Sequence, residues 1–492
     1  MRRFPRWCVG YGFALAMPGA LAALGCGAQK PMNAPNNGPT AHSSTDRTAS
    51  EAVSITVYNQ NFGLVREVRS ARLGKGQVEL SYGDVSAHIQ PETVHIKSLT
   101  SDGALSVLEQ NYRYDLLTPD TLLKKYLGKT VKVYRYNEHT GVEEEKQAEI
   151  LAVEGGVVLR IDGQVTSGFA GRFAFPEVPE NLVQKPTLVW LLASTEPEQR
   201  VEVTYLTSEL DWHADYVLSV DADDKIGDLN GWVTLRNNTG TSYQNAELKL
   251  VAGDVQRLEP NIRQMPMAAA SMAPMAPPAP PQFKEEGLFE YHLYALQRPT
   301  NLLDKEQKQV SLLEASGIAL DKKLIFFGAE QYFRGQYGQI ATNQKVGVYL
   351  DFQNKEANHL GMPLPKGTVR VYKSDKSGQK QFIGEDAIDH TPRDERIRIK
   401  LGEAFDVVAD RTETEWKAVS TCVNESAWEI KVRNHKDTAE HVELYEPAGG
   451  DWEILSSSLP ATKKDASTFT FDVPLAPRSE TKVTYRVRVR WC

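Results

Sequence analysis

Apolar and polar residues alternate with a period of two along most of this chain, in short runs broken by Gly, Asn or Asp. Val53–Tyr58, Val78–Tyr82 and Val94–Lys97 are the first such runs. A period of two sends alternate side chains to opposite faces, so each run predicts a half-buried strand. Helical periodicity is scarce. The one helical candidate is Pro119–Leu127, where Thr118 stands ready to cap and Leu122, Leu123, Tyr126 and Leu127 form a short apolar face. Strand patterns follow over Thr130–Tyr136, Gln147–Val153 and Val157–Ile161, with a turn at Gly163. A short helix followed by several strands predicts a small SH3-like or Sm-like barrel.

Longer strands are predicted from Leu188 onward, and three segments there share one plan. Trp232–Asn238 is answered by Ala246–Leu250, Val348–Asn354 by Thr368–Tyr372, and Trp428–Asn434 by His441–Tyr445. Each is an alternating strand ending in Asn, a polar crossing, and a second alternating strand. Asn tolerates left-handed backbone and bonds nearby main chain, so it closes a strand without strain. The plan is the one by which immunoglobulin-like sandwiches cross between sheets.

The N-terminal 52 residues follow neither pattern. Arg2, Arg3 and Arg6 precede an uncharged apolar stretch, Trp7–Gly25, which Pro18 interrupts. It is short and runs into polar sequence, which suits an export signal over residues 1–26 better than a membrane span. Its end, Ala22-Ala23-Leu24-Gly25-Cys26, resembles the lipobox of bacterial lipoproteins, although Ala23 stands where Leu is usual. Lipid attachment at Cys26 is the expectation, and plain cleavage after Ala22, with Ala20 and Ala22 as an A-x-A site, is the other reading. Residues 27–52 are rich in Pro, Asn, Ser and Thr and read as a flexible tether.

Composition narrows the class further. The 492 residues are 41% apolar and 24% charged, with 35 Gly, 26 Pro and four Cys. These values exclude a collagen, a disulfide-stapled miniprotein, a polytopic membrane protein and a wholly disordered chain. Loss of residues 1–25 removes three Arg and no acid, taking the net charge from −8 to −11. An acidic, evenly mixed surface argues against nucleic acid as a partner. Cys8 lies in the signal and Cys26 is the candidate acylation site. Cys422 and Cys492 remain, both in the last sandwich, and export permits a bond between them. A free or intermolecular thiol at the terminus is the alternative.

Catalytic signatures are missing. No His pair has the spacing that puts two imidazoles around zinc, and there is no G-x-S-x-G elbow. His213, His435 and His441 read as strand-end or surface residues. Gly128-Lys129-Thr130 lacks the earlier Gly and preceding strand of a phosphate loop. The acidic run Asp221–Asp228 puts Ile226 and Trp232 where a calcium loop needs Gly and Glu, so it reads as a solvated hairpin turn. Met265, Met267, Met272 and Met275 fall in a Pro/Ala-rich run, 264–282. Soft thioethers suit Cu(I), but no His or Cys accompanies them, and a surface loop is expected. Tyr291, Tyr294, Phe326, Phe327, Tyr332, Phe333 and Tyr337 could stack on sugar rings or dock a partner, and the preferred reading is that they fill a seam between domains.

Several stretches together resemble a known family. They are Tyr205–Tyr216, Val233–Gly240, Pro363–Tyr372, Phe382–Glu385, His390–Pro392 and Leu401–Asp406. The resemblance is to bacterial exported proteins whose C-terminal region is domain of unknown function 4139, related to the mucoidy-inhibitor A group. It covers roughly residues 186–492, and Val57–Pro91 looks like the β-domain that precedes it. The resemblance implies export, an all-β fold and no assigned catalytic residues, and a Met/Ala/Pro-rich insertion is common in such proteins. The long coiled coil of the mucoidy-inhibitor group is not matched here, because sustained heptads are absent.

The expectation is an all-β, multidomain chain of immunoglobulin-like sandwiches with very little helix. After signal and tether come an N-terminal β-domain over 53–118, the barrel-like segment over 119–185, a central sandwich region over 186–411 carrying the Met/Pro insertion, and a C-terminal immunoglobulin-like sandwich over 412–492. The expected role is non-enzymatic binding or scaffolding, without a cofactor, in an exported lipoprotein of the cell envelope. It would sit on the periplasmic or cell-surface side of a bacterial membrane as an outer membrane lipoprotein, with a lipid anchor in the membrane and envelope proteins or glycans as partners. An envelope hydrolase, metal-dependent or glycan-processing, is the alternative.

Overall fold

Alternation becomes strand throughout. The computed structural model describes residues 41–138, 141–179, 181–257, 282–375 and 377–492. These form 31 strands in five sheets and a single α-helix, a multidomain β-sandwich-like architecture. Cys26 and residues 264–281 lie outside the described residues.

The N-terminal strands are woven into later ones. Ser50–Tyr58 pairs with Phe62–Arg72 on one side and, in parallel, with Tyr243–Ala252 on the other, matching Ser54 to Glu247 and Tyr58 to Val251. Phe62–Arg72 in turn pairs along its length with Glu198–Ser208. This eight-stranded sheet packs against a four-stranded sheet built on Gly76–Gly83 and Thr187–Ser194, and against a central five-stranded sheet. The central sheet runs, in spatial order, Glu306–Ala319, Ile226–Asn237, Leu210–Val220, Gly367–Ser374 and Lys380–Ile388. One apolar core joins the three, from Val53 to Ile399 and including Trp190, Trp212, Tyr205 and Tyr294.

A nine-stranded sheet forms the C-terminal sandwich by folding its two arms over a second core of Phe326, Trp428, Val432, Leu444, Phe469 and Tyr485. The long strand Arg396–Ser420 serves both cores, placing Ile397 and Ile399 in the first and Val407 and Ala409 in the second. Cys422 and Cys492 are joined by a disulfide, with their Cα atoms 5.7 Å apart.

The helix spans Pro119–Lys125, and the Thr118 hydroxyl accepts from Thr121 N–H in a capping box. It closes a third core under five antiparallel strands over residues 130–174. The barrel expected there does not close. The edge strands Gln164–Ser167 and Arg172–Ala174 have four and three residues and are joined by no pairing to each other.

The three crossing Asn residues appear at strand ends and bond nearby main chain as expected, but without left-handed backbone. Asn237, Asn354 and Asn434 are at most 2% exposed, and none has a positive φ. Each staples the crossing. Asn237 donates to Thr241 O and Leu302 O, Asn354 to Met362 O and Pro392 O, and Asn434 to Thr438 O and Ala476 O. Their amide oxygens accept from the N–H groups of Thr239, Gly361 and Lys436. Buried main-chain groups that leave a sheet need such partners.

Candidate functional site

The strand Leu210–Val220 alternates between buried and partly exposed residues from Leu210 to Tyr216. Trp212, Ala214 and Tyr216 face the core, so Asp211, His213 and Asp215 share the outward face. The inward residues fix the strand: Trp212 Nε1 donates to Val251 O, and the Tyr216 hydroxyl donates to Pro365 O at 2.8 Å. Tyr294 likewise donates to Pro363 O. Three aromatic hydrogen bonds thus lock the sheet against the segments beside it.

On the outward face, each of the five strands contributes one polar side chain to a continuous line. Gln309 Nε2 donates to Thr234 Oγ1 at 3.1 Å, and Thr234 Oγ1 donates to Asp215 Oδ2 at 2.8 Å. Arg370 donates to Asp215 Oδ1 at 3.0 Å and lies 3.3 Å from Glu385 Oε2. His213 Nε2 stands 3.2 Å from Asp215 Oδ2. Trp232, half-buried, sits on the same face opposite Asp215 in the ladder. Tyr372 and Phe382 meet edge to face at 5.7 Å near the line's other end, and Phe382 is 55% exposed.

Burial raises the Asp215 carboxyl, but hydrogen bonds from His213, Arg370 and Thr234 outweigh it and hold the group far below the usual carboxylate range. Asp211 goes the other way: burial pushes it up against the opposing pull of His213. Asp215 is therefore ionised with both oxygens engaged, which makes it an organiser of the face rather than a proton acceptor.

Most side chains singled out from the sequence lie elsewhere. His441 pairs with Asp472 at 3.3 Å on an exposed surface, and His435 is exposed. The acidic turn is spent on its own structure. Asp221 accepts from Lys225 and Ile226 N–H, Asp228 accepts from Gly317 N–H, and Asp224 pairs with Lys322 and Lys373. The aromatics do not form one seam: Tyr294 belongs to the first core and Phe326 and Phe333 to the second, while Phe327 and Tyr337 are exposed. Large rings at alternating positions went where core volume was needed.

The polar line escaped sequence reasoning except at His213. Its signal was the run Asp211-x-His213-x-Asp215, three polar groups on one strand face, but Arg370 lies 155 residues from Asp215. The stretches that carry the family resemblance, Tyr205–Tyr216, Val233–Gly240 and Pro363–Tyr372, deliver His213, Asp215, Thr234 and Arg370 to this face. Comparison with known families agrees with that weight: a family model described as a domain of unknown function (DUF4139) matches residues 201–492. No curated protein matches the chain.

Proposed function

The chain belongs to the DUF4139 family, and from that premise we propose that it is an exported, lipid-anchored protein of the cell envelope that works by binding. Its contact surface is the outward face of the central five-stranded sheet. The observation that carries this reading is the cross-strand line from Gln309 to Glu385. It holds planar polar groups rigidly in place beside Trp232 and Phe382, a surface suited to recognition by directional hydrogen bonds and ring contact. The same bonds occupy Asp215 and Thr234, the groups a hydrolase would need free. Export draws support from the Cys422–Cys492 bond, which belongs to oxidising compartments. Anchoring rests on the lipobox-like end at Cys26.

Two measurements test the proposal. Intact mass of the chain from the membrane fraction should show a mature terminus at Cys26 carrying acyl mass, and a terminus without it removes the anchor. Chemical crosslinking in intact cells should recover the chain joined to an envelope component. Recovery of monomer alone removes the binding role.

A further inference from the structure

The first described segment is a strap. Ala41–Thr45 adds in parallel to the edge of Gly76–Gly83, with Ala41 opposite Val78 and Thr45 opposite Tyr82. The turn Arg47–Ala49 then leads into Ser50–Tyr58. Ala-His-Ser-Ser-Thr offers no large apolar side chain to the core, so the strap is held by its ladder, by Ser43 Oγ donating to Arg72 O, by Thr45, whose hydroxyl donates to Ser70 O and whose carbonyl accepts from Arg69, and by Arg47.

Arg47 is the anchor, and its side chain is only 13% exposed. Its guanidinium donates to Ser242 O at 2.6 Å and Asp84 O at 3.0 Å, lies 3.7 Å from Glu67, and covers the Tyr243 ring at 4.8 Å. Every wall of this socket comes from the body of the protein. Glu67 is fully buried and already paired with Arg69 at 2.9 Å, so the socket keeps its shape and its acid when Arg47 leaves.

Three features make the strap removable. Open grooves lined mainly by polar residue types flank it, one of about 980 Å³ between the strap and Ser70, Thr100 and Gln199, and one of about 580 Å³ bounded by Asp84, Lys185 and Thr241. Solvent therefore reaches it from both sides. At its root, the register between Ser50–Tyr58 and Phe62–Arg72 shifts between Ser50 and Ala52, a bulge at which the strap can hinge. It is also an edge strand, the position at which one chain can replace another.

We propose that the strap exchanges between copies: the strap of one chain pairs with Gly76–Gly83 of a second, and its Arg47 fills the second copy's socket. The seat demands an extended segment followed two residues later by a guanidinium, and the strap itself has both. Exchange of an identical element keeps every hydrogen bond of the closed form, so its cost is that of association. Nine residues beyond the hinge reach about 30 Å, enough to meet a neighbour.

The test uses full-length chain with Cys8 and Cys26 changed to Ser. One preparation carries Ser44→Cys and another Ser81→Cys, since these positions face each other in the ladder. Mixed and treated with a short bismaleimide, they should yield a covalent heterodimer, and adding Arg47→Ala to the Ser44→Cys chain should reduce it at least tenfold. A chain carrying both cysteines reports the closed form. If that chain crosslinks internally while the mixture stays monomeric, exchange is overturned. If neither crosslinks, the seat is overturned as well.

Discussion

Arg411 and Glu446 form a bidentate pair at 2.7 Å, both at most 1% exposed, with the guanidinium among the rings of Phe326, Tyr332 and Trp428. Two charges removed from water are tolerable only together. Glu446→Gln leaves the guanidinium uncompensated and should cost about 3–5 kcal/mol in urea unfolding. Joint replacement by Met at 411 and Leu at 446 should cost less than that single change. Acid sensitivity follows from a second kind of pair. Arg433 draws the Asp410 carboxyl down to about 2, and Asp215 lies below the usual range too. Carboxylates depressed in the folded state stabilise it above their unfolded value of about 3.9, and that contribution disappears as pH falls through the folded one. The melting temperature should therefore drop between about pH 4 and 2, and Asp410→Asn should flatten the drop while lowering stability at pH 7. None of these pairs was legible in the sequence, because Glu446 lies 35 residues from Arg411 and Arg370 lies 155 from Asp215. A charged residue in an alternating run announces its face and not its partner.

At the level of elements, period two located the strands well, since burial on one face is a local property of the run. Thr118 and the following helix were legible for the same reason, a cap and apolar face within ten residues. Pairing was not legible: Ser50–Tyr58 finds its parallel neighbour in Tyr243–Ala252, and nothing in either run encodes that match. Closure of the small sheet failed because it depends on edge lengths and stagger rather than on alternation. The crossing Asn residues were readable in position and in their bonds to nearby main chain, but not in their burial or in the distant carbonyls they also bind. Their burial makes them staples of main-chain groups that water cannot reach. Asn237→Ala, Asn354→Ala and Asn434→Ala should each cost about 2–3 kcal/mol by chemical denaturation, since each orphans more than one buried carbonyl or N–H. Asn343→Ala, at an exposed bulge within the strand Gln339–Gln353 with φ of 51°, should cost less than any of them.

At the scale of the molecule, the described residues form three apolar cores, and strands distant in sequence share the first of them. The Cys422–Cys492 bond closes a span of 70 residues across the C-terminal sandwich. Loop-closure entropy gives such a bond about 4 kcal/mol, so reduction should lower the urea midpoint of that sandwich first. The all-β class, the sandwich plan and the family were legible because they depend on pattern and motif. The face proposed for contact was not, since five strands from residues 210–388 build it. Its role as the binding surface is tested most directly by a photoreactive amino acid placed at Asn230, on the outward face, in cells expressing the chain. The account predicts a covalent adduct with an envelope component from position 230, weakened by Asp215→Asn, and none from a control probe at exposed Gln164. Equal adducts from both positions, or none from 230, would contradict it.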